Sequence, residues 1–272
     1  MSTLSIGPVG ISLNEPDDGS RGRLAAELEE LGYSTIWLAG GQLDRLGRID
    51  EILAATTAVP VGSAIIPVDR YEPEAVADLH ARAGGRFIAG LGGPQQARPL
   101  RGLTDWLDRL DRAAPPVPAS GRILAALGPR KLELAASRAA GAIPLLVTPA
   151  YTAWARDRLG TEPALVISQM VVLDEDPERA RQTARGPLGF LSGVRGYQAG
   201  FARMGFSPAD IETLSDRLVD ELVTWGSAAA IAERVGAHRA AGADQVALTV
   251  LSRDGQPGLA QAAPLLAGAL IG

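Results

Sequence analysis

Apolar residues in this chain gather into short runs that alternate with longer stretches of helical periodicity. The run from Leu4 to Leu13, with Ile6, Val9, Ile11 and Leu13 separated by small residues, lacks polar alternation and reads as a strand buried on both faces. Asp17, Asp18, Gly19 and Ser20 form a helix-start cluster, and Leu24, Leu28 and Leu31 follow at helical spacing up to Gly32. Ser34–Leu38 is a second strand, Ile49, Ile52 and Leu53 mark a second helix, and Val61–Val68 is a third strand. The alternation then runs through a helix at Pro73–Ala83, stopped by Gly84 and Gly85, and a strand at Arg86–Leu91. Helices are predicted at Leu103–Ala113, Pro129–Ala140 and Tyr151–Leu159, the last two closed by Gly141 and Gly160. Strands are predicted between and after them at Arg122–Leu127, Ile143–Val147 and Leu165–Leu173. Gln245–Leu251 is the last strand, and a C-terminal helix starts near Leu259.

Eight strands, each followed by helical sequence, is the count that a closed (β/α)8 TIM barrel needs. A doubly wound open sheet is the alternative, which the strand count disfavours. One interval is irregular: between strands seven and eight, from Pro177 to Ala241, the connection is expanded and holds several helices. Among them are Ala209–Leu222 and Ala228–Ala240, the second capped by Ser227. Barrels place lids or subunit contacts in such expansions. No linker or repeat divides residues 1–272, which read as a single domain.

Composition narrows the chemistry. With 46% hydrophobic and 21% charged residues the chain is of ordinary globular type, long enough to bury a core without staples. It has no cysteine, which excludes disulfides, thiolate catalysis and thiolate-bound metal. His80 and His238 are the only histidines, and each sits at helical spacing, as an outer-helix residue would. Met1–Leu13 lacks the pattern of a signal peptide and no apolar run is long enough to span a membrane, so a cytoplasmic protein is expected. A net charge of −5 argues against nucleic acid as a partner. Arginine supplies the basic residues, save Lys131.

In such a barrel the ligand site is built by the loops that leave the C-terminal ends of the strands. Those segments are small-residue segments here: Ser12–Glu15, Ala39–Gln42, Gly62–Ile65, Gly90–Gly93, Ala125–Pro129 and Val147–Pro149. Glycine at these places makes tight turns, or lets backbone approach a large flat ligand from several sides. At the start of the fifth helix, Gly128 precedes Pro129 at the first helical position, then Arg130 and Lys131. Free N–H groups, the helix dipole and two cations favour an anion there, with Thr148 adding a hydroxyl, although Arg130 and Lys131 are also ordinary as solvated surface charges. The Gly90–Gly93 run is too short for a dinucleotide fingerprint, and no P-loop lysine is present.

Several of these segments resemble the luciferase-like monooxygenase superfamily. Residues 84–92 (GGRFIAGLG) resemble its fourth strand, 32–38 (GYSTIWL) its second and 61–65 (VGSAI) its third. Residues 125–135 (AALGPRKLELA) followed by Ala140 and Gly141 resemble the fifth strand and helix of the branch that uses the deazaflavin coenzyme F420. Residues 171–181 (VVLDEDPERAR) resemble the seventh strand and its helix. The resemblance implies a non-proline cis peptide within Ser63, Ala64 and Ile65, at Ala64–Ile65, behind the cofactor ring. It also implies that Gly90 and Gly92 border the ring or ribityl chain and that Ala125, Ala126, Gly128 and Pro129 approach the ring edge. Thr148 would stand near the phosphate, and a homodimer is expected. The chain departs from the family where many deazaflavin enzymes carry an Asp-His pair after strand two; Ala39 and Gly40 stand there instead. The segment from Tyr71 to Gly85 is also shorter than usual.

The expected activity is hydride transfer between coenzyme F420 and a small organic substrate, which needs a held substrate carbon and excluded water more than a dedicated acid. Asn14, Glu15, Gln42 and Tyr197 are the rim candidates for proton donation or substrate contact, with no catalytic residue assigned. The alternatives are an FMN-dependent monooxygenase of the same superfamily and a barrel that has lost catalysis and serves as a binding or subunit-pairing protein.

Overall fold

A computed structural model describes residues 4, 6–14, 19–40, 43, 45–93 and 98–272. Strands β1 (Val9–Ser12), β2 (Ile36–Ala39), β3 (Val61–Ala64), β4 (Ile66–Pro67), β5 (Phe87–Gly92) and β6 (Arg122–Leu124) come first. They are followed by β7 (Gly141–Ala142), β8 (Ala164–Val172), β9 (Val223–Trp225) and β10 (Gln245–Val250). Helices α1 (Arg21–Glu30), α2 (Gly47–Ala55), α3 (Pro73–Arg82), α4 (Pro99–Arg112), α5 (Pro129–Arg138) and α6 (Pro149–Leu159) alternate with them. The long connection contributes α7 (Pro177–Ser192), α8 (Arg195–Arg203), α9 (Pro208–Thr213) and α10 (Asp216–Leu222) before β9, then α11 (Ala228–Ala240); α12 (Leu259–Leu270) ends the chain.

All pairings are parallel, and β10 pairs with both β1 and β8, which closes the sheet into a ring. The closed eight-stranded (β/α)8 barrel expected from the hydrophobic pattern is the fold observed. The third strand is interrupted: the Ala64–Ile65 peptide is cis, and the chain resumes as β4 against β5.

Two elements differ from the pattern for local reasons. The expected strand Ile143–Val147 is two residues earlier and very short, with Leu145 keeping one isolated bridge to Ser168. Pro144 has no N–H to give the ladder, and Leu146 turns the chain away with φ at 57°. The β8 edge that β7 leaves is taken over by β9, which pairs with Met170–Val172. The expected helix Ala209–Leu222 is two helices, because Leu214 adopts φ 47° and Ser215 restarts the helix by accepting the Leu218 N–H.

Inside the ring, Trp37, Ile88, Ile123, Ile143, Val166 and Ala247 form the packed layer. The Trp37 indole lies flat across the floor; a Cβ on Gly62 would sit 2.3 Å from its ring, so only glycine fits beneath it. Its Nε1–H donates to Gln245 Oε1 at 2.8 Å, and Gln245 Nε2 donates onward to the Gly7 carbonyl at 2.8 Å. The outward faces of the strands meet the helices in one large apolar cluster. A separate cluster, with Met170, Val172, Phe201, Leu222 and Val223, is the core of the expanded connection.

Candidate functional site at the barrel mouth

Side chains alternate in and out along each strand, so the residue two beyond each floor position faces the space above it. Counting up from the floor layer gives Ala39, Gly90, Ala125, Leu145, Ser168 and Thr249, with Ala64 and Ser12 beside them in register on β3 and β1; all but Leu145 are small or hydroxylic. The Thr249 hydroxyl donates to Ser12 Oγ at 3.0 Å, which ties the first and last barrel strands at this level. The lining is wide because its side chains are short, and it is polar on the β1–β10–β8 side.

The expected cofactor residues fall into three groups. Ala64, Ile65 and Ala125 are partly exposed at the mouth. Ser63 and Ala126 are buried in the wall; Ser63 Oγ accepts the Gly90 N–H at 2.9 Å and lies 3.0 Å from the Gly90 carbonyl, pinning β3 to β5. Gly90 and Gly92 are fixed by the same neighbours: a Cβ would come 1.7 Å from the Ser63 carbonyl oxygen or 2.2 Å from the Ile65 side chain. Gly128, Pro129, Arg130 and Thr148 form the third group, at the starts of α5 and α6.

That third group gathers two helix starts and two basic side chains. Gly128 caps α5 with open space where a side chain would stand, and Pro129 takes the first helical position. Arg130 is exposed and forms no ion pair among the described residues. Lys131 turns back toward the end of β5, its Nζ 3.5 Å from where a Cβ on Gly93 would be. Burial lowers the Lys131 pKa below the ordinary lysine value. Thr148 caps α6 by accepting the Tyr151 N–H at 3.2 Å, so its side-chain oxygen already has a partner.

Sequence reasoning missed what holds this corner. The Tyr151 hydroxyl donates to the Leu127 carbonyl at 2.9 Å, and Arg203 from α8 reaches the same carbonyl at 3.3 Å. Arg158 and Arg203 lie over the Trp154 ring, with guanidinium carbons 4.2 and 5.3 Å from its centre. Helix α8 of the expanded connection thereby lies against the β6–α5 turn. Tyr151 was readable only as an apolar helix position, and nothing local marked Arg203.

Of the four rim candidates, Glu15 and Gln42 lie outside the described residues. Asn14 accepts the Ala39 N–H through Oδ1 at 3.3 Å. Tyr197 is partly exposed on α8, its ring 6.2 Å from Phe201; its hydroxyl has no hydrogen-bond partner among the described residues, and burial pushes the phenol up to about 12. A phenol so placed is protonated at neutral pH.

Both histidines sit outside the barrel wall. His238 on α11 is fully buried, with Nδ1 2.8 Å from Thr152 Oγ1 and Nε2 3.0 Å from Gln169 Oε1. Gln169 Nε2 donates to the Met170 and Leu222 carbonyls, so its Oε1 accepts from His238 Nε2–H. Burial, with a contribution from Arg234, brings its pKa down to about 4. His80 on α3 packs beside Phe87, ring centres 6.4 Å apart, and burial lowers its pKa too. Neither reaches the mouth. Nor could a side chain stand at position 40, since a Cβ there would lie 2.2 Å from the Ile65 carbonyl oxygen.

On the opposite side, a cleft of about 470 Å³ opens between α7 and the segment after β10, lined by Asn14, Gln182, Thr183, Thr249, Ser252 and Arg253 among others. Asp174 anchors its outer wall. Arg179 donates to it twice, at 3.0 and 2.8 Å, and Gln256 once at 2.9 Å, which holds its carboxyl well below the usual carboxylate range.

Comparison with solved structures finds this architecture along whole chains. An F420-dependent secondary alcohol dehydrogenase bound to an F420–acetone adduct superposes with a TM-score of 0.74 at 13% identity, covering 98% of both chains. The coenzyme F420-dependent tetrahydromethanopterin reductase from Methanopyrus kandleri gives 0.71 at 14%, covering 99% of both. The oxygenating constituent of 3,6-diketocamphane monooxygenase from Pseudomonas putida, in complex with FMN, gives 0.60 at 12%, covering 97% of this chain and 96% of the other. No curated protein sequence matches. The luciferase-like monooxygenase family model matches residues 109–245, half of the chain, from the end of α4 through the starts of α5 and α6 and the expanded connection to the start of β10. The chain belongs to the luciferase-like monooxygenase family.

Proposed function

We propose that the protein is an oxidoreductase that uses coenzyme F420 at the mouth of its barrel and acts on a small organic molecule. The observation that carries this reading is the lining itself: Ser12, Ala39, Ala64, Ala125, Ser168 and Thr249 put short side chains above the Trp37 floor, suited to the approach of a flat ring. At its edge the first turn of α5 leaves the Arg130 N–H free, the Lys131 N–H donating to the Gly128 carbonyl at 3.1 Å, with the Arg130 and Lys131 side chains beside it. Two cations there favour F420, whose anionic tail continues beyond its phosphate, over FMN, which ends at the phosphate. Two of the solved structures with this fold, those with TM-scores of 0.74 and 0.71, are F420-dependent enzymes.

When bound, the deazaflavin supplies a carbon that gives or takes hydride. The chain would supply position and dryness: Ala64, Ile65 and Ala125 would meet the ring, α8 covers the β6–α5 turn, and the Tyr197 phenol holds a proton at neutral pH. A homodimer, which light scattering would test, completes the reading.

The site has no room for the histidine of many relatives, because position 40 is filled by the Ile65 carbonyl. That observation favours a second reading, a barrel that binds without catalysing. Titration of the purified protein with coenzyme F420 and with FMN, followed by fluorescence, separates the readings. Micromolar binding of F420 alone supports the proposal, and binding of FMN alone transfers it to the monooxygenase class. Binding of neither by folded protein overturns both enzymatic readings.

A further inference from the structure

The cleft beside α7 is not needed for a ring or a phosphate, and its chemistry is specific. Thr249 lines it and also belongs to the upper lining of the barrel, so the cleft adjoins the mouth at β10. Its volume of about 470 Å³ is within the range of small-molecule sites. Among the described residues the inner lining contains no Asp or Glu and one formal charge, Arg253. The Arg253 guanidinium forms no ion pair among the described residues, although its backbone is clamped: Gln256 Oε1 accepts the Arg253 N–H at 3.0 Å and the Thr183 hydroxyl at 2.9 Å. Gln256 Nε2 then donates to Asp174, itself forked by Arg179, so the segment that carries Arg253 is fastened to α7.

Neutral donors stand around that cation. Asn14 has Oδ1 occupied by the Ala39 N–H, which leaves its amide hydrogens for the cleft. Gln182 and Ser252 line the same space with side chains exposed. Further out the charges offset one another: Arg179 is paired with Asp174, and Asp254 lines only the outer part. A single unpaired guanidinium among neutral donors matches a monoanion with two oxygens in a plane. A phosphate dianion would leave one negative charge without a partner.

We infer that this cleft is the substrate site and that it takes a small organic carboxylate, gripped by Arg253 with its reacting end directed to the mouth. The word substrate rests on the oxidoreductase reading above; carboxylate binding is tested without it. Fluorine NMR titration of the full chain, with no cofactor added, would compare trifluoromethyl-benzoate with the matching benzamide, benzylamine and phenyl phosphate. The benzoate is expected to bind about tenfold more tightly than the amide, as one charge-assisted pair allows. In Arg253→Gln, an exposed position whose loss leaves the fold intact, that preference disappears. Equal affinity for benzoate and amide, tighter binding of the phosphate, or a preference that survives Arg253→Gln overturns the inference. So does tighter binding of the benzylamine. If the benzoate preference holds while neither F420 nor FMN binds, the oxidoreductase reading falls and the carboxylate site stands.

Discussion

His238 shows how far a titratable residue can be from chemistry and still govern the protein. It is fully buried and neutral, with both ring nitrogens engaged and a pKa brought down to about 4 from 6.5. The unfolded chain therefore binds a proton that the folded chain refuses between these values. Stability is complete above pH 6.5 and is lost as pH falls toward 4, by about 3 kcal/mol if no other group compensates. Urea denaturation at pH 7.5, 5.5 and 4.5 would show the decline, and His238→Asn should flatten it; an equal decline in the variant would place the sensitivity elsewhere. Gly40 makes a second point at the same scale. With the Ile65 carbonyl 2.2 Å from a prospective Cβ, Gly40→Ala should cost about 1–3 kcal/mol by overpacking. A melting temperature unchanged in Gly40→Ala would show that Ile65 yields, and would reopen position 40 to a catalytic side chain.

At the scale of elements, helix α5 carries the sharpest functional expectation. Its first turn joins the free N–H of Arg130, that residue's exposed side chain and a Lys131 whose pKa burial has lowered. Arg130→Ala with Lys131→Ala should weaken F420 binding about tenfold or more and flatten its salt dependence, with helix content unchanged. Unchanged affinity at two salt concentrations would make these ordinary surface cations. Much of this element was legible, since Gly128, Pro129 and the basic pair occupy four successive positions that state a helix start. The β7 hand-over and the α9–α10 break were not. Each depends on a leucine, Leu146 or Leu214, held at positive φ by its surroundings, and leucine gives no local sign of that conformation. The link from Arg203 to the Leu127 carbonyl joins residues 76 apart, and periodicity cannot see it.

At the scale of the whole molecule, the barrel separates what holds it together from what it does. The strand count and the parallel, doubly buried character of the runs were in the hydrophobic pattern, because every barrel strand must be apolar on both faces. The count of eight also called for closure, which the structure makes by β10 meeting both β1 and β8. Trp37 sits at that closure's floor: its indole crosses beneath Gly62, and its N–H meets Gln245 at the N-terminal end of β10, the end away from the mouth. Trp37→Phe keeps most of the apolar volume and removes the donor, leaving the buried Gln245 Oε1 without it. The cost should be about 1–3 kcal/mol of stability. Binding of F420 should change less than about twofold, because conservation of the mouth does not require that bond. The Arg130 and Lys131 double variant should do the reverse, losing affinity at constant stability. A Trp37→Phe protein that lost affinity in step with stability would show that floor and mouth act as one unit, and that the upper lining is positioned from below rather than by its own strand pairings.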